Sequence, residues 1–330
     1  MAINIPVKDI ARELYKGNIE KFSKGALDEK QANDIIMQRI LEVCDCTEKF
    51  SEYKFKQNIQ LVYEIISEAI AEPVRDGVVS QYNEWVDVDT VDYNVTKEWN
   101  LPNNNLFKVG VVAEGTTDFD RQRLLRNKIS ASGFNVGLSI YDEFHNVRTG
   151  KTDFVEMIDK VRESIDTQIM QIIVNMIEES YTGLGALGVT GVYSDEKMIK
   201  LCQAVKGISR VQNVTIYGTL SAINNLTGVS EADKNDNREY GHVRKWKGMD
   251  VVEIPQVFNA EKNPIVSENI LYIMPSNIKI IKLAFEGEPV VKDGQDPMSR
   301  DDQQIEFAIM QRIQLALLKT LDYGMYVIGD

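Results

Sequence analysis

The sequence is poor in the residues that most chemistry needs. Two histidines and three cysteines in 330 residues leave a metal centre or a histidine-based triad almost no material. His145 and His242 both lie amid polar residues with no evident partner. Cys44-Asp45-Cys46 is too tight to close on itself, and Cys202 stands alone. That odd count fits buried thiols in a reducing compartment better than a disulfide framework. Positive charge is also short: 37 Lys and Arg against 50 Asp and Glu leave a net −13. A surface of that sign repels phosphate, which excludes broad gripping of nucleic acid but not loose enclosure of it. No apolar run is long enough to span a bilayer, and the N-terminus has no signal-peptide core. The chain is therefore expected to be soluble, intracellular when made and away from membranes. It has no internal repeat and no low-complexity tract.

What is present is ordinary globular material, 43% hydrophobic and 26% charged, with length for one large domain or two smaller ones. The stretch "TGLGALGVTG" (182–191) matches G-x-G-x-x-G at Gly183, Gly185 and Gly188. A dinucleotide site needs that motif after a strand and before a helix, with an acidic residue about 20 positions on. Here it follows a helical pattern, no helix opens at the third glycine, and no Asp or Glu lies between Glu196 and Glu231. The glycines therefore imply a turning exit from a helix, not a phosphate cradle. Asp233, Asn235 and Asn237 begin like a calcium loop, but Arg238 and Arg244 stand where a glycine and a bidentate acid belong. Adjacent carboxylates such as Asp142-Glu143 and Asp301-Asp302 point opposite ways in extended chain. No catalytic, cofactor or metal site is expected.

The clearest element is a helix over 152–181. Phe154, Ile158, Val161, Ile165, Ile169, Ile172 and Met176 mark one face, Thr152 fits the N-cap, and Gly183 fits the C′ position. Residues 1–72 read as short helices with two stripes, Ile36/Ile40/Val43/Cys44 and Leu61/Ile65/Ile66/Ala69, and little partner core of their own. Val86, Val88 and Val91 alternate with aspartates as a half-buried strand, and Leu106 to Val112 is a second strand candidate. "ISASGFNVGLSIYDEF" reads as the returning strand of a long hairpin. Its tip carries Arg121, Arg123, Arg126 and Lys128, a local positive cluster suited to an acidic neighbour, including another copy of this chain. Further on, 196–206 and 219–227 read as helices, and "NVTIYG", "MDVVEIP", "NILYIMP" and "IKIIKLAFEG" as strands. Residues 303–318 fit a strand or a helix equally.

A helical arm, a long hairpin, a long helix and a glycine exit follow one another. "IYGTLSAINNLTG" (216–228), "KWKGMDVVEIPQVF" (245–258) and "NILYIMPSNIKIIKLAFEGEP" (269–289) come after. That order and texture resemble the major capsid protein of tailed double-stranded DNA bacteriophages, an α+β fold shared with encapsulins. The resemblance covers roughly residues 78–330 and implies a domain plan. Residues 1–75 would form an N-terminal arm, and 76–150 an extended loop with flanking strands. Residues 151–182 would be the spine helix of a peripheral domain, with 281–318 as its strands. Residues 183–280 would form the axial domain, to which 319–330 return. It further implies hexamers and pentamers of an icosahedral shell enclosing double-stranded DNA, assembled in the host cytoplasm. Portal, scaffolding or decoration proteins would be partners. An encapsulin-type compartment and an enzyme with a diffuse site are the alternatives. The glycines Gly183, Gly185 and Gly188 would then be a hinge between spine and axial domain.

Overall fold

The computed structural model describes residues 29–47, 50–67, 86–101, 106–110, 121–123, 127–149, 151–227, 241–276, 279–292, 304–318 and 323–329. Two sheets organise them. The first has four strands in the order β1 (Val86–Val91), β10 (Ile281–Lys292), β11 (Gln304–Leu317) and β4 (Phe134–Glu143). β1 joins β10 in parallel, while β10–β11 and β11–β4 are antiparallel. The ambiguous 303–318 segment is thus a strand. Its Ile305, Ile309, Ile313 and Leu317 share a face at either period, but only a sheet places Phe307 beside them, as observed.

One face of this sheet packs on the spine helix α4 (Phe154–Glu179). Phe154, Ile158, Val161, Ile165 and Ile169 are buried against Leu283, Phe285, Phe307 and Ile309. Phe154 meets Phe307 edge to face, ring centroids 6.4 Å apart. Each such fully buried side chain contributes about 1.5–3 kcal/mol. At 26 residues the helix is a rod of about 39 Å. Its ends depart from the expected caps. Asp153, not Thr152, is the N-cap, its Oδ1 accepting the Glu156 N–H at 3.1 Å. Thr152 instead donates to Asp142 Oδ2 at 2.6 Å, tying the helix start to the end of β4. The helix tightens into a 3₁₀ turn over Ser180–Gly183, and the left-handed glycine is Gly185, φ +55°, not Gly183.

The N-terminal helices are not short of partners. Met37, Ile40 and Cys44 of and after α1 (Glu29–Val43), Phe55 of α2 (Glu52–Gln57), and Ile59, Val62, Tyr63 and Ile66 of the helical stretch 59–67 join the core of spine and sheet. Tyr63 also donates to the Glu306 carbonyl at 3.2 Å. The stripe read through Leu61 is displaced, because Leu61 itself faces solvent; Ala69 lies outside the described residues. α3 (Phe144–Thr149) follows β4 and contains His145.

The second sheet has six strands, in the order β5 (Gly188–Gly191), β12 (Gly324–Ile328), β9 (Ile270–Pro275), β6 (Val214–Gly218), β8 (Met249–Glu253) and β7 (Lys245–Trp246). Helix α5 (Asp195–Ser209) lays Met198, Leu201 and Val205 on Val214, Ile216, Leu271 and Tyr326. The short helix α6 (Leu220–Ile223) starts at Thr219, whose hydroxyl accepts the Ala222 N–H. Among the described residues no helix is long and apolar enough to cross a membrane. The calcium-like Asp233, Asn235 and Asn237, and the Asp301-Asp302 pair, lie outside the described residues.

Candidate assembly interface

The hairpin is real, but its rungs are not where the apolar pattern put them. β2 (Glu98–Leu101) pairs with β3 (Asn127–Ser130), Leu101 facing Asn127. Leu106–Gly110 is in no strand, and the expected returning strand breaks at residues 131–133 before β4 begins. The break lets the chain change partners, from β2 within the hairpin to β11 within the sheet.

The hairpin lies on the sheet face opposite the spine. Odd-numbered residues of β10 and β11, such as Leu283, Phe285 and Ile313, face the helix. Ala284 and Ala316 point the other way and are covered by Trp99, with Val91, Ile129 and Ala131 around them. Polar side chains on that face clamp the hairpin root. Gln314 accepts the Lys97 N–H at 2.8 Å, and its amide donates to the Val95 carbonyl at 2.8 Å and to Glu286 Oε2 at 3.0 Å. Glu286, 3% exposed, also accepts from the Asn94 N–H at 2.8 Å and Arg312 Nε at 2.9 Å. The Gln314 amide, with Asn94 and Arg312, holds this carboxyl below the usual range against the burial that would raise it. Beside it Gly287 has φ +66°, and a Cβ there would sit 2.4 Å from the Tyr93 ring. Only glycine fits that bend. Tyr93 in turn donates its hydroxyl to the Glu288 carbonyl.

Beyond the rungs the hairpin becomes an exposed apolar tip. Leu106 is 75% exposed, Phe107 51% and Val109 93%. Gln122 holds this stretch, accepting the Lys108 N–H and donating to the Lys108 carbonyl, both at 2.7 Å. A side-chain amide thus takes the place of a partner strand. Arg121 and Arg123 are exposed beside it; Arg126 lies outside the described residues. Lys128 is separate from this group, sitting in β3 and paired with Glu98 at 2.5 Å. The sequence points to the cations, and its apolar pattern at Leu106, Phe107 and Val109 reads as a strand because apolar runs ordinarily find a sheet. The signal against it was the polar "NNN" (103–105) before them and "EGTTD" (114–118) after.

The glycine segment joins spine to second sheet. Space around Gly183 and Gly185 is open, whereas a Cβ on Gly188 would meet the Tyr181 ring at 3.0 Å. Gly188 is extended and pairs with Met325 as the first residue of β5. Hydrogen bonds span the junction. Glu178 accepts from Ser267 at 2.6 Å and from the Tyr272 hydroxyl at 2.9 Å. Ser180 bonds Tyr323, and Tyr181 bonds Thr190.

Cys44 and Cys46 are buried, and burial, with Cys46 nearby, pushes the Cys44 thiol up to about 11. Burial pushes Cys202 to about 12. His242 sits 3.3 Å from Glu253 at the edge of the second sheet, and His145 is on α3. Among the described residues no group of His, Cys, Asp and Glu could hold a metal ion.

This architecture is that of the capsid proteins of bacteriophages. The chain is similar to a solved structure from Microbacterium phage Oxtober96, with a TM-score of 0.52 at 10% identity over 76% of this chain and 90% of that one. It is similar to one from Mycobacterium phage Bobi, with a TM-score of 0.51 at 12% identity over 77% and 90%. The acid-stable capsid of Helicobacter pylori bacteriophage KHP30 gives 0.50 at 10% over 74% and 88%. A search of curated proteins by sequence finds none that matches. The profile of one family, described as "SPbeta prophage-derived putative capsid protein YonB", matches residues 7–326, and the chain belongs to that family. It is a structural protein of the virion capsid.

Proposed function

We propose that this chain is the repeating subunit of a closed icosahedral shell, assembled as hexamers and pentamers in the host cytoplasm around double-stranded DNA. The observation that carries this reading is the hairpin tip. Three large apolar side chains stand in solvent at its end, in a chain of a capsid family. An isolated subunit gains nothing from that exposure, whereas a lattice covers it. The four-stranded sheet with α4 corresponds to the peripheral domain, and the six-stranded sheet to the axial domain around the symmetry axes. Arg121 and Arg123 supply charge for neighbour contact. The net −13 keeps packaged DNA from adhering, since phosphate binding needs cations. No catalysis is part of this role. A portal closes one vertex, and scaffolding or decoration proteins join as assembly requires.

The junction at Gly183 and Gly185 is the point where copies at different lattice positions bend. The Tyr181–Thr190 bond and the packing of Gly188 on Tyr181 move that bend toward Gly185. Electron microscopy of the purified chain tests the whole reading: uniform shells are expected, and a stable small oligomer at high concentration would overturn it. In a shell reconstruction, identical Gly185 backbone angles in every copy would remove the hinge.

A further inference from the structure

The spine has one seam where polarity is out of place. Its front, with Phe154, Ile158, Ile165 and Ile169, lies on the four-stranded sheet. One flank, with Lys160, Ser164 and Gln168, shares a groove with Leu138 of β4. Along the opposite flank Asp159, Arg162, Asp166, Met170 and Ile173 follow one another at steps of three and four. Helix α1 packs on α4, and with the front and the first flank occupied, this second flank is its seat. α1 brings Met37, Ile40, Leu41 and Cys44 to the same core. A carboxyl is thus set into an apolar helix–helix seam, midway along the spine.

Asp166 is 4% exposed, and its Oδ1 has no hydrogen-bond partner among the described residues. The charges that act on it come from its own helix, one turn back: Arg162, which favours the ionised form, and Glu163, which opposes it. α1 offers no counter-charge from its described side chains. Asp34, Arg39 and Glu42 are exposed, and Arg39 pairs with Glu42 at 3.2 Å. In α2 and the stretch 59–67, Glu52, Lys54 and Glu64 are exposed, and Lys56 pairs with Glu52 at 3.0 Å. The strands in front of the helix present Leu283, Phe285, Phe307 and Ile309. A carboxylate in such surroundings loses its hydration and gains no partner, so ionisation works against closure of the seam.

We infer that Asp166 is a proton-operated latch on the α1–α4 seam: protonated, it lets α1 close on the spine, and ionised, it admits water and loosens α1. The sign follows from burial. In the closed seam the carboxyl keeps its proton up to about pH 7, whereas a hydrated aspartate releases it at about pH 4. The closed form therefore loses ground as pH rises between those values and no further above them. α1 is held fast in acid and loosened toward neutral pH with no ligand and no covalent change. The latch lies within one chain and does not rest on the shell reading.

Hydrogen exchange on the full chain tests it, with each rate divided by the unstructured rate at the same pH. From pH 5.5 to pH 8 the α1 amides from Met37 to Val43 should open roughly 30-fold more often. Amides of β6 and β9 should hold level. Asp166→Asn should flatten the α1 profile, and Asp159→Asn, half-buried on the same flank, should keep most of the rise. A flat α1 profile in the wild type, a rise that survives Asp166→Asn, a rise abolished by Asp159→Asn, or an equal rise in the second sheet would each overturn the latch. If Asp166→Asn does not fold, the wild-type profile decides alone. A latch at Asp166 levels off above about pH 7, and a rise that continues to about pH 9 would overturn it.

Discussion

Replacing Gln314 with leucine tests whether the hairpin is aimed by its buried root. The Gln314 side chain is 2% exposed as a residue and makes three bonds at 2.8–3.0 Å, to Lys97 N–H, the Val95 carbonyl and Glu286. Leucine keeps much of the volume and offers none of them. Two backbone groups lose their partner, and the carboxylate keeps Asn94 and Arg312. A buried polar group left unpaired costs about 1–3 kcal/mol, so full burial of both orphans would cost about 2–6 kcal/mol. The chain has a cheaper exit: residues 95–97 can lift into water, giving up the cover of Trp99 over Ala284 and Ala316 and the part-exposed Lys97–Asp89 ion pair, which is worth little. That cover is about one aromatic side chain, roughly 2–3 kcal/mol, and it sets the ceiling on the loss.

The expected result is therefore local. Hydrogen exchange at the amides of Lys97 and β2 should speed up by roughly 30- to 100-fold, which is 2–3 kcal/mol at about 1.4 kcal/mol per factor of ten. Amides of β6 and β9 should exchange as in the wild type, and the urea midpoint should move little. Shell yield should fall, because a hairpin freed at its root no longer presents its tip at one angle. If exchange rises equally in both sheets, Gln314 serves global stability, not hairpin aim. If it does not rise in the hairpin at all, the root bonds hold nothing, and the reasoning fails.

Two further outcomes follow from buried groups. Burial raises the Asp166 carboxyl to about 7, against a lowering by Arg162 and a raising by Glu163, and its Oδ1 has no hydrogen-bond partner. The folded chain then keeps a proton that the unfolded chain releases near pH 4, so stability falls as pH rises from about 4 to 7 and is level above. With roughly three pKa units at about 1.36 kcal/mol each, the penalty at pH 8 is about 4 kcal/mol at most. Asp166→Asn should raise the urea midpoint more at pH 8 than at pH 5.5, and an equal gain at both would show that charge is not the cause. The thiols of Cys44, Cys46 and Cys202 should ignore an aromatic disulfide reagent in the folded chain and react on unfolding; fast labelling without denaturant would contradict their burial.

Several elements could be read before any fold was known because their signal is local. α4 announces itself by apolar residues every three or four positions. β6 and β9, buried along their whole length, announce themselves as continuous apolar runs. The pairing of β1 with β10 across some 190 residues leaves no such trace, since parallel strands distant in sequence share only burial. The same gap hid the partners of the N-terminal helices: their stripes were visible, but not the spine and sheet that cover them.

The site misled for a more specific reason. On the second face of the four-stranded sheet, Glu286, Arg312 and Gln314 look like a solvated surface, because a strand with polar residues at alternate positions ordinarily faces water. Here another part of the same chain covers that face, so the polar residues mark the root of a clamp. At Leu106–Gly110 the inference reverses. Apolar residues, which ordinarily mark burial, stand in solvent in the single chain; on the shell reading proposed above, their cover belongs to another copy. Both places share one cause: polarity reports whether a side chain meets water in the working assembly, and a single chain is only part of that assembly. A capsid subunit should then break the inside–outside rule at the places where it meets its neighbours or braces the parts that do. In this chain the places that break it are the hairpin tip and its root.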